Sequence, residues 1–217
     1  MTADLFDDLP DLNPQQIQLA DGAMLLRGFA KEVDSALVGA VNDVIAQAPL
    51  RHLITPGGYR MSVSMTCCGQ LGWVSDRTGY RYDPIDPASG RAWPAIPAAL
   101  MNVAADAASH AGFDNFMPDA CLINCYEPGA RLSLHQDRHE RDVVAPIVSI
   151  SLGLPAVFLF GGAQRSDRPQ RYRLAHGDVA VWGGPARFAF HGIAPLADGH
   201  HPLLGGRRIN VTFRKVH

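Results

Sequence analysis

The strongest constraint on this chain is the texture of its second half. From residue 118 onward, short apolar runs recur between turn signals, at 120–126, 146–152, 156–160, 178–182, 187–191 and 208–214. Several short strands at that spacing predict a sandwich or a barrel. The first half reads differently. Residues 21–29 suggest a short strand. Residues 32–47 carry Val33, Leu37, Val41, Val44 and Ile45 at helical spacing, and Pro49 ends that helix. Residues 55–93 are rich in Gly, Ser, Tyr and Trp and read as hairpins and loops. A second helix is expected over 95–111, with Gly112 as its stop. The expected class is mainly β with flanking α.

Composition narrows the possibilities. A chain of 217 residues with 47% hydrophobic and 18% charged residues can bury one core as a single domain. A net charge of -2 argues against a generally basic nucleic-acid binder. The cations are nevertheless almost all Arg, with only Lys31 and Lys215 as lysines, and several acids crowd the start (Asp4, Asp7, Asp8, Asp11). Arg presents a rigid fork suited to carboxylates and phosphates, though an Arg-rich genomic composition explains the bias equally well. Cys67, Cys68, Cys121 and Cys125 show neither a disulfide framework nor a CxxC zinc pair, which suits a reducing compartment. No signal peptide and no apolar run of membrane-spanning length is evident. The expectation is a cytoplasmic protein, without membrane contact and monomeric.

Three motifs could carry chemistry. On a strand over 208–214, Arg208, Asn210, Thr212 and Arg214 share one face while Ile209, Val211 and Phe213 share the other. Two guanidiniums on one face need partners if buried; taken alone, the pattern is satisfied by a solvated face. Residues 120–126 alternate likewise, with Leu122, Asn124 and Tyr126 opposite Cys121, Ile123 and Cys125. Finally, His135-Gln-Asp137 sets an imidazole and a carboxylate on one side of a strand, with His191 further along and Arg208 on the strand after it. Two histidines and one carboxylate with open positions are what a non-haem iron(II) site requires. An HxD pair alone is weak evidence, and a second stands at His176-Gly-Asp178, where Gly-Asp before an apolar run reads as a turn.

The order of HxD, distal His and following Arg is similar to that of 2-oxoglutarate-dependent dioxygenases. From about residue 20 to 214 the chain resembles the bacterial AlkB DNA-repair dioxygenases. Thr55-Pro-Gly-Gly-Tyr59, Leu71-Gly-Trp73, Pro118 to Asn124, the His135–Asp137 segment, Ala145 to Ser149, His176 to Val179 and Arg208 to Arg214 carry that resemblance in order. It implies a double-stranded β-helix (jelly-roll) core over about 118–215 and an N-terminal α/β nucleotide-recognition lid over about 50–95. Together these form one catalytic domain over 17–217, after a flexible tail over 1–16. It implies Fe(II), 2-oxoglutarate and O2 as the working set, with His135, Asp137 and His191 as metal ligands and catalytic residues. Asn124, Tyr126, Arg208, Asn210 and Arg214 would surround 2-oxoglutarate, Arg208 pairing with the distal carboxylate. Met65, Trp73, Tyr80, Arg81, Tyr82, His139, Glu140 and Arg165 would face the substrate. The implied reaction is oxidative demethylation of N-methyl lesions such as 1-methyladenine and 3-methylcytosine, releasing formaldehyde, succinate and CO2. The implied partner is alkylated, single-stranded DNA, with RNA as the alternative.

One position departs from the pattern. Members of this type have HxDxDE, whereas this chain has His135-Gln-Asp137-Arg138-His139-Glu140. His139 can donate, accept or carry charge, so base preference stays open while the iron chemistry does not. Other readings remain open on residues alone: the same oxygenation of a protein side chain or small molecule, a silent jelly-roll binding module, or a zinc hydrolase.

Overall fold

A computed structural model describes residues 15–217. Of the expected tail, residues 1–14 lie outside the described residues, and Gln16 already opens a strand. In chain order the elements are β1 (Gln16–Ala20), β2 (Ala23–Leu26), α1 (Asp34–Gln47), β3 (Arg51–Ile54), β4 (Arg60–Gly69), β5 (Gly72–Asp76), β6 (Gly79–Asp83), α2 (Ala98–His110) and β7 (Ala120–Tyr126). They continue with β8 (Leu132–His135), β9 (Ile147–Gly153), β10 (Ala156–Phe160), β11 (Gln170–Leu174), β12 (Val179–Trp182), β13 (His191–Ile193) and β14 (Arg208–Arg214).

Both helices form where the apolar spacing predicts them. Leu37, Val41 and Val44 of α1 and Leu100, Ala104, Ala107 and Ala108 of α2 are buried on single faces. After α2, Gly112 takes φ +84°, the left-handed conformation that closes a helix at low cost for glycine.

Among the described residues, fourteen strands make two facing sheets and a hairpin. The large sheet has eight strands in the order β1-β2-β12-β9-β14-β7-β4-β3; the small one has four, β11-β10-β13-β8; β5 and β6 pair alone. Every pairing between named strands is antiparallel. The 50–95 segment therefore divides: β3 and β4 extend the large sheet through β7, and only β5–β6 stand off from it.

The core lies on both sides of the large sheet. Outside, Cys121, Ile123, Cys125, Ile209, Val211 and Phe213 pack with Leu37, Val41, Val44 and Leu100 of the helices. Inside, Tyr126, Phe158, Phe160, Leu174 and Trp182 pack between the sheets. The alternation along β7 and β14 thus sorts apolar residues toward the helices and polar ones toward the space between the sheets. No residue of β14 reaches solvent, so the solvated face that its pattern also allowed does not occur.

One expected strand is displaced. The run 187–191 enters β13 only at His191, because the 3₁₀ turn over Gly184–Ala186 is continued by turn hydrogen bonds from the Arg187 N–H to Gly184 and the Ala189 N–H to Ala186. The second HxD is a turn, as expected. The His176 imidazole accepts from the Gly153 N–H at 2.8 Å and reaches Asp34 at 2.9 Å. Asp178 accepts from Arg27, Gly28 and Ala175. No helix among the described residues is long and apolar enough to cross a membrane.

Candidate metal centre and its cavity

His135 ends β8 and His191 opens β13, and the two are direct cross-strand partners with ring centroids 4.4 Å apart. Gly192 makes this pairing possible: a Cβ there would sit 2.6 Å from the Leu132 carbonyl oxygen. Asp137 follows two residues after His135, with carboxylate oxygens 3.8 Å from His135 Nε2 and 3.7 Å from His191 Nε2. One ligand atom from each of the three lies within 4.8 Å of the others, close enough to share one ion.

The surroundings prepare these groups for a metal. His135 Nδ1 donates to the Ser133 carbonyl at 2.9 Å and His191 Nδ1 to the Ala189 carbonyl at 3.0 Å. A carbonyl can only accept, so the protons sit on Nδ1 and both Nε2 lone pairs stay free. Burial, reinforced by nearby His135, holds the His191 imidazole neutral down to about 4. Burial alone would push the Asp137 carboxyl up. The Arg214 guanidinium, at 2.7 and 3.0 Å, overcomes that together with the two histidines and keeps it far below the usual carboxylate range. Two imidazoles and one carboxylate, leaving other directions open, fit iron(II).

The triad faces a cavity of about 760 Å³ between the sheets. On its wall lie Asn124, Tyr126, Arg208, Asn210 and Arg214, which the sequence placed on strand faces, and Met65, Trp73, Tyr80 and His139. Arg208 is 1% exposed and stacks 4.9 Å from the Tyr126 ring. Its Nη2 donates to Ser151 Oγ at 3.0 Å, while Nε, Nη1 and the Tyr126 hydroxyl are buried without any partner. Native interiors rarely leave such groups unsatisfied, and a buried cation asks for an anion. A carboxylate-bearing cosubstrate such as 2-oxoglutarate fits that demand. Asn210 sits opposite Asn124 in register, accepts from it at 3.2 Å, and donates to Ser149 and Ile150.

Four other predicted site residues lie off the cavity wall. Glu140 is buried behind it, taking the Tyr82 hydroxyl at 2.6 Å, Arg187 at 3.1 Å and Arg214 at 3.4 Å. Tyr82 and Glu140 thus tie β6 to the metal segment. Arg81 pairs with Asp76 and Asp83 within its own hairpin. Arg165 lies 5.9 Å from the Phe190 ring. Sequence reasoning missed Trp182, 4.8 Å from His191, whose indole N–H is buried and unpartnered. It also missed Gln136, whose amide donates to the Phe188 carbonyl and, at 3.2 Å, to that of Ala163. Trp182 lay in an apolar run that read as core; nothing in the sequence singled out Gln136.

A jelly roll that presents two histidines and a carboxylate to an open cavity, beside a buried arginine, defines a mononuclear non-haem iron oxygenase. Residues 22–214 match the 2OG-Fe(II) oxygenase superfamily. The chain belongs to the AlkB family of α-ketoglutarate-dependent dioxygenases within it. The α-ketoglutarate-dependent dioxygenase AlkB of Escherichia coli K12 is 54% identical over 212 residues, covering 98% of both chains. The DNA N(6)-methyladenine demethylase ALKBH1C of Arabidopsis thaliana is 34% identical over 188 residues, covering 73% of this chain and 41% of its own. The solved structure of OsALKBH1 superposes with a TM-score of 0.81 at 27% identity, covering 92% of this chain and 99% of that one. The enzyme accordingly works with Fe(II), 2-oxoglutarate and O2.

Proposed function

We propose that this enzyme removes alkyl groups from ring nitrogens of nucleic-acid bases, N-methyl lesions such as 1-methyladenine and 3-methylcytosine among them. The observation that carries this reading is the pairing of the His135-Asp137-His191 triad with an unsatisfied Arg208 in one cavity, whose wall includes stacked aromatics. The 54% identity to AlkB across nearly the whole chain, and the demethylase name of the Arabidopsis relative, support a base as substrate.

His135, Asp137 and His191 hold the metal, and Arg214 keeps Asp137 ionised and aimed. Arg208 and the Tyr126 hydroxyl take the distal carboxylate of 2-oxoglutarate, and the Asn124–Asn210 pair braces that side of the cavity. Bound iron with 2-oxoglutarate and O2 would supply hydroxylation of the N-alkyl carbon, with succinate and CO2 as coproducts, and the hydroxymethyl formed from a methyl would then leave as formaldehyde. An extracted base needs aromatic or apolar faces to replace its lost stacking. Trp73 and Tyr80, stacked with centroids 5.5 Å apart, offer them from the β5–β6 hairpin, with Met65 and His139 on the same wall. The hairpin is the lid in this reading, and Tyr82 and Glu140 act through its attachment rather than by touching substrate. Arg81 and Arg165 serve the outer approach. A single strand suits the site, because a base is extracted from it at the lowest unpairing cost. A reducing, cytoplasmic setting is supported by four cysteines that are all buried and free.

The test is an anaerobic titration with iron(II) and 2-oxoglutarate, followed by air and a methylated oligonucleotide. Formaldehyde should appear with DNA, RNA and peptide substrates ranked in that order. His135→Ala should abolish metal binding and turnover while the fold, read by circular dichroism, is kept. Normal turnover in that variant, or formaldehyde from the peptide alone, rejects the reading.

A further inference from the structure

One aromatic side chain outside the cavity stands in unusual surroundings. Phe188 is 37% exposed, directly after the buried Arg187 and on a segment that Gln136 ties to the metal loop. Two guanidinium carbons lie within 6 Å of its ring centroid, Arg138 at 5.8 Å and Arg187 at 5.6 Å. Arg187 is committed: it donates to the Asp137 and Ala145 carbonyls and pairs with Glu140. Arg138 is exposed, and no carboxylate among the described residues pairs with it. Together with half-exposed Val143, Arg138 and Phe188 line a shallow hollow of their own. Single exposed hydrophobics are ordinary and need no explanation. An exposed ring beside an unpaired cation, one residue from two cavity-lining residues, offers more: a flat apolar face next to a phosphate-seeking charge.

We propose that Phe188, Arg138 and Val143 form a subsite for the nucleotide adjacent to the one in the cavity, on a single-stranded nucleic acid. This rests on the dealkylase reading above. Arg138 lies between Asp137 and His139, both on the cavity wall, so the cation of the hollow is one residue along the chain from the site on either side. Bases stack on aromatic rings and on guanidinium planes without regard to sequence, and a neighbouring arginine neutralises the backbone phosphate. The net charge of -2 makes a local cation the more important, because the molecule as a whole does not attract a polyanion. Gln136 gives the subsite its leverage. Its amide bridges Phe188 and Ala163 from within the HxD motif, so a strand seated on Phe188 is held in fixed relation to the triad.

The test compares two substrates carrying the same 1-methyladenine: the 5′-mononucleotide, and the central position of a single-stranded DNA pentanucleotide. Formaldehyde release by the iron- and 2-oxoglutarate-loaded full chain gives a KM for each. In Phe188→Ala, the ratio of pentanucleotide to mononucleotide KM should rise about tenfold, the size of one lost base–aromatic stack. Phe188→Trp should restore the ratio. Arg138→Gln should raise the pentanucleotide KM and flatten its salt dependence. Anisotropy of a fluorescein-labelled, unmethylated pentanucleotide on the metal-free protein should rank the variants in the same order. A ratio within twofold of wild type in Phe188→Ala, or an equal rise on both substrates, overturns the subsite. Should wild type demethylate neither substrate, the dealkylase reading falls, and anisotropy still judges the subsite: binding indifferent to Phe188→Ala rejects it.

Discussion

Arg208 is the buried charge with the least company in this molecule. Its one hydrogen bond goes to Ser151, and two of its nitrogens meet no acceptor. A buried ion lacking its counter-charge costs several kcal/mol, so the ligand-free enzyme carries that cost and a bound carboxylate relieves it. Burial also pulls the guanidinium below its ordinary value, with only Tyr126 opposing. Arg208→Met, which keeps bulk and removes charge, should raise the KM for 2-oxoglutarate about 100-fold, equivalent to about 3 kcal/mol. The same variant should leave the ligand-free melting temperature unchanged or higher, the reverse of an ordinary core substitution. Calorimetry without ligand and steady-state kinetics read the two halves separately. A large drop in melting temperature would mean that Arg208 serves the fold instead.

At the scale of elements, the metal centre is a product of strand pairing. Two short strands, β8 and β13, bring the histidines opposite each other, and their closeness depends on a residue with no side chain between His191 and Ile193. Gly192→Ala would place a methyl against backbone that cannot rotate away. The strands should part by a fraction of an ångström to an ångström. Metal affinity should fall at least tenfold with the overall fold retained, as read by anaerobic cobalt(II) titration and circular dichroism. The anchoring of β3 is electrostatic. Arg51 pairs with buried Asp86, which also accepts from the Ala88 N–H and the Ser89 hydroxyl. Burial pushes that carboxyl up, and these donors together bring it below its ordinary value of 3.8. A depressed carboxyl stabilises the fold fully above its unfolded value and progressively less as pH falls through the folded one. Asp86→Asn should therefore cost about 1.5–3 kcal/mol at pH 7. The gap to wild type should close below pH 3.8 in urea titrations run across pH; a constant gap would refute the ion-pair account.

For the whole molecule, the strand order matters most. The last strand, β14, lies in the middle of the large sheet between β9 and β7, and the first two reach it only through β12 and β9. Such a sheet sets its inner face opposite the small sheet, with Tyr126, Phe158 and Trp182 packed between them. The resulting cavity carries one unsatisfied cation, Arg208, and a triad of ligand atoms, which makes the ligand-free state less stable than it could be. Anaerobic Fe(II) and 2-oxoglutarate, binding as one unit at about 100 times its dissociation constant, should stabilise the protein by about 2.7 kcal/mol. That corresponds to a rise of roughly 5–10 °C in a protein of this size. Differential scanning calorimetry should show most of the shift only when both are present; equal shifts from either alone would separate the metal from the cosubstrate site.

Much of this was legible in the sequence because strand periodicity is local. The alternation over 120–126 and 208–214 assigned the inward residues correctly, since neighbouring side chains on a strand must point apart whatever the fold around them. The two helices, the Gly112 stop and the His176–Asp178 turn followed from equally local rules. The iron ligands were legible through motif order. What lay beyond local rules was burial and partnership. Whether Arg208 and Arg214 faced solvent or the interior depended on a second sheet that no single strand encodes. That Arg214 would grip Asp137, and that Glu140 would retreat behind the wall to hold Tyr82 and Arg187, required residues distant in the chain to meet. So did the displacement of the 187–191 run by a 3₁₀ turn and the placing of Phe188 at the surface beside Arg138. Side-chain direction is a property of a few successive residues; the company a charge keeps is a property of the closed fold.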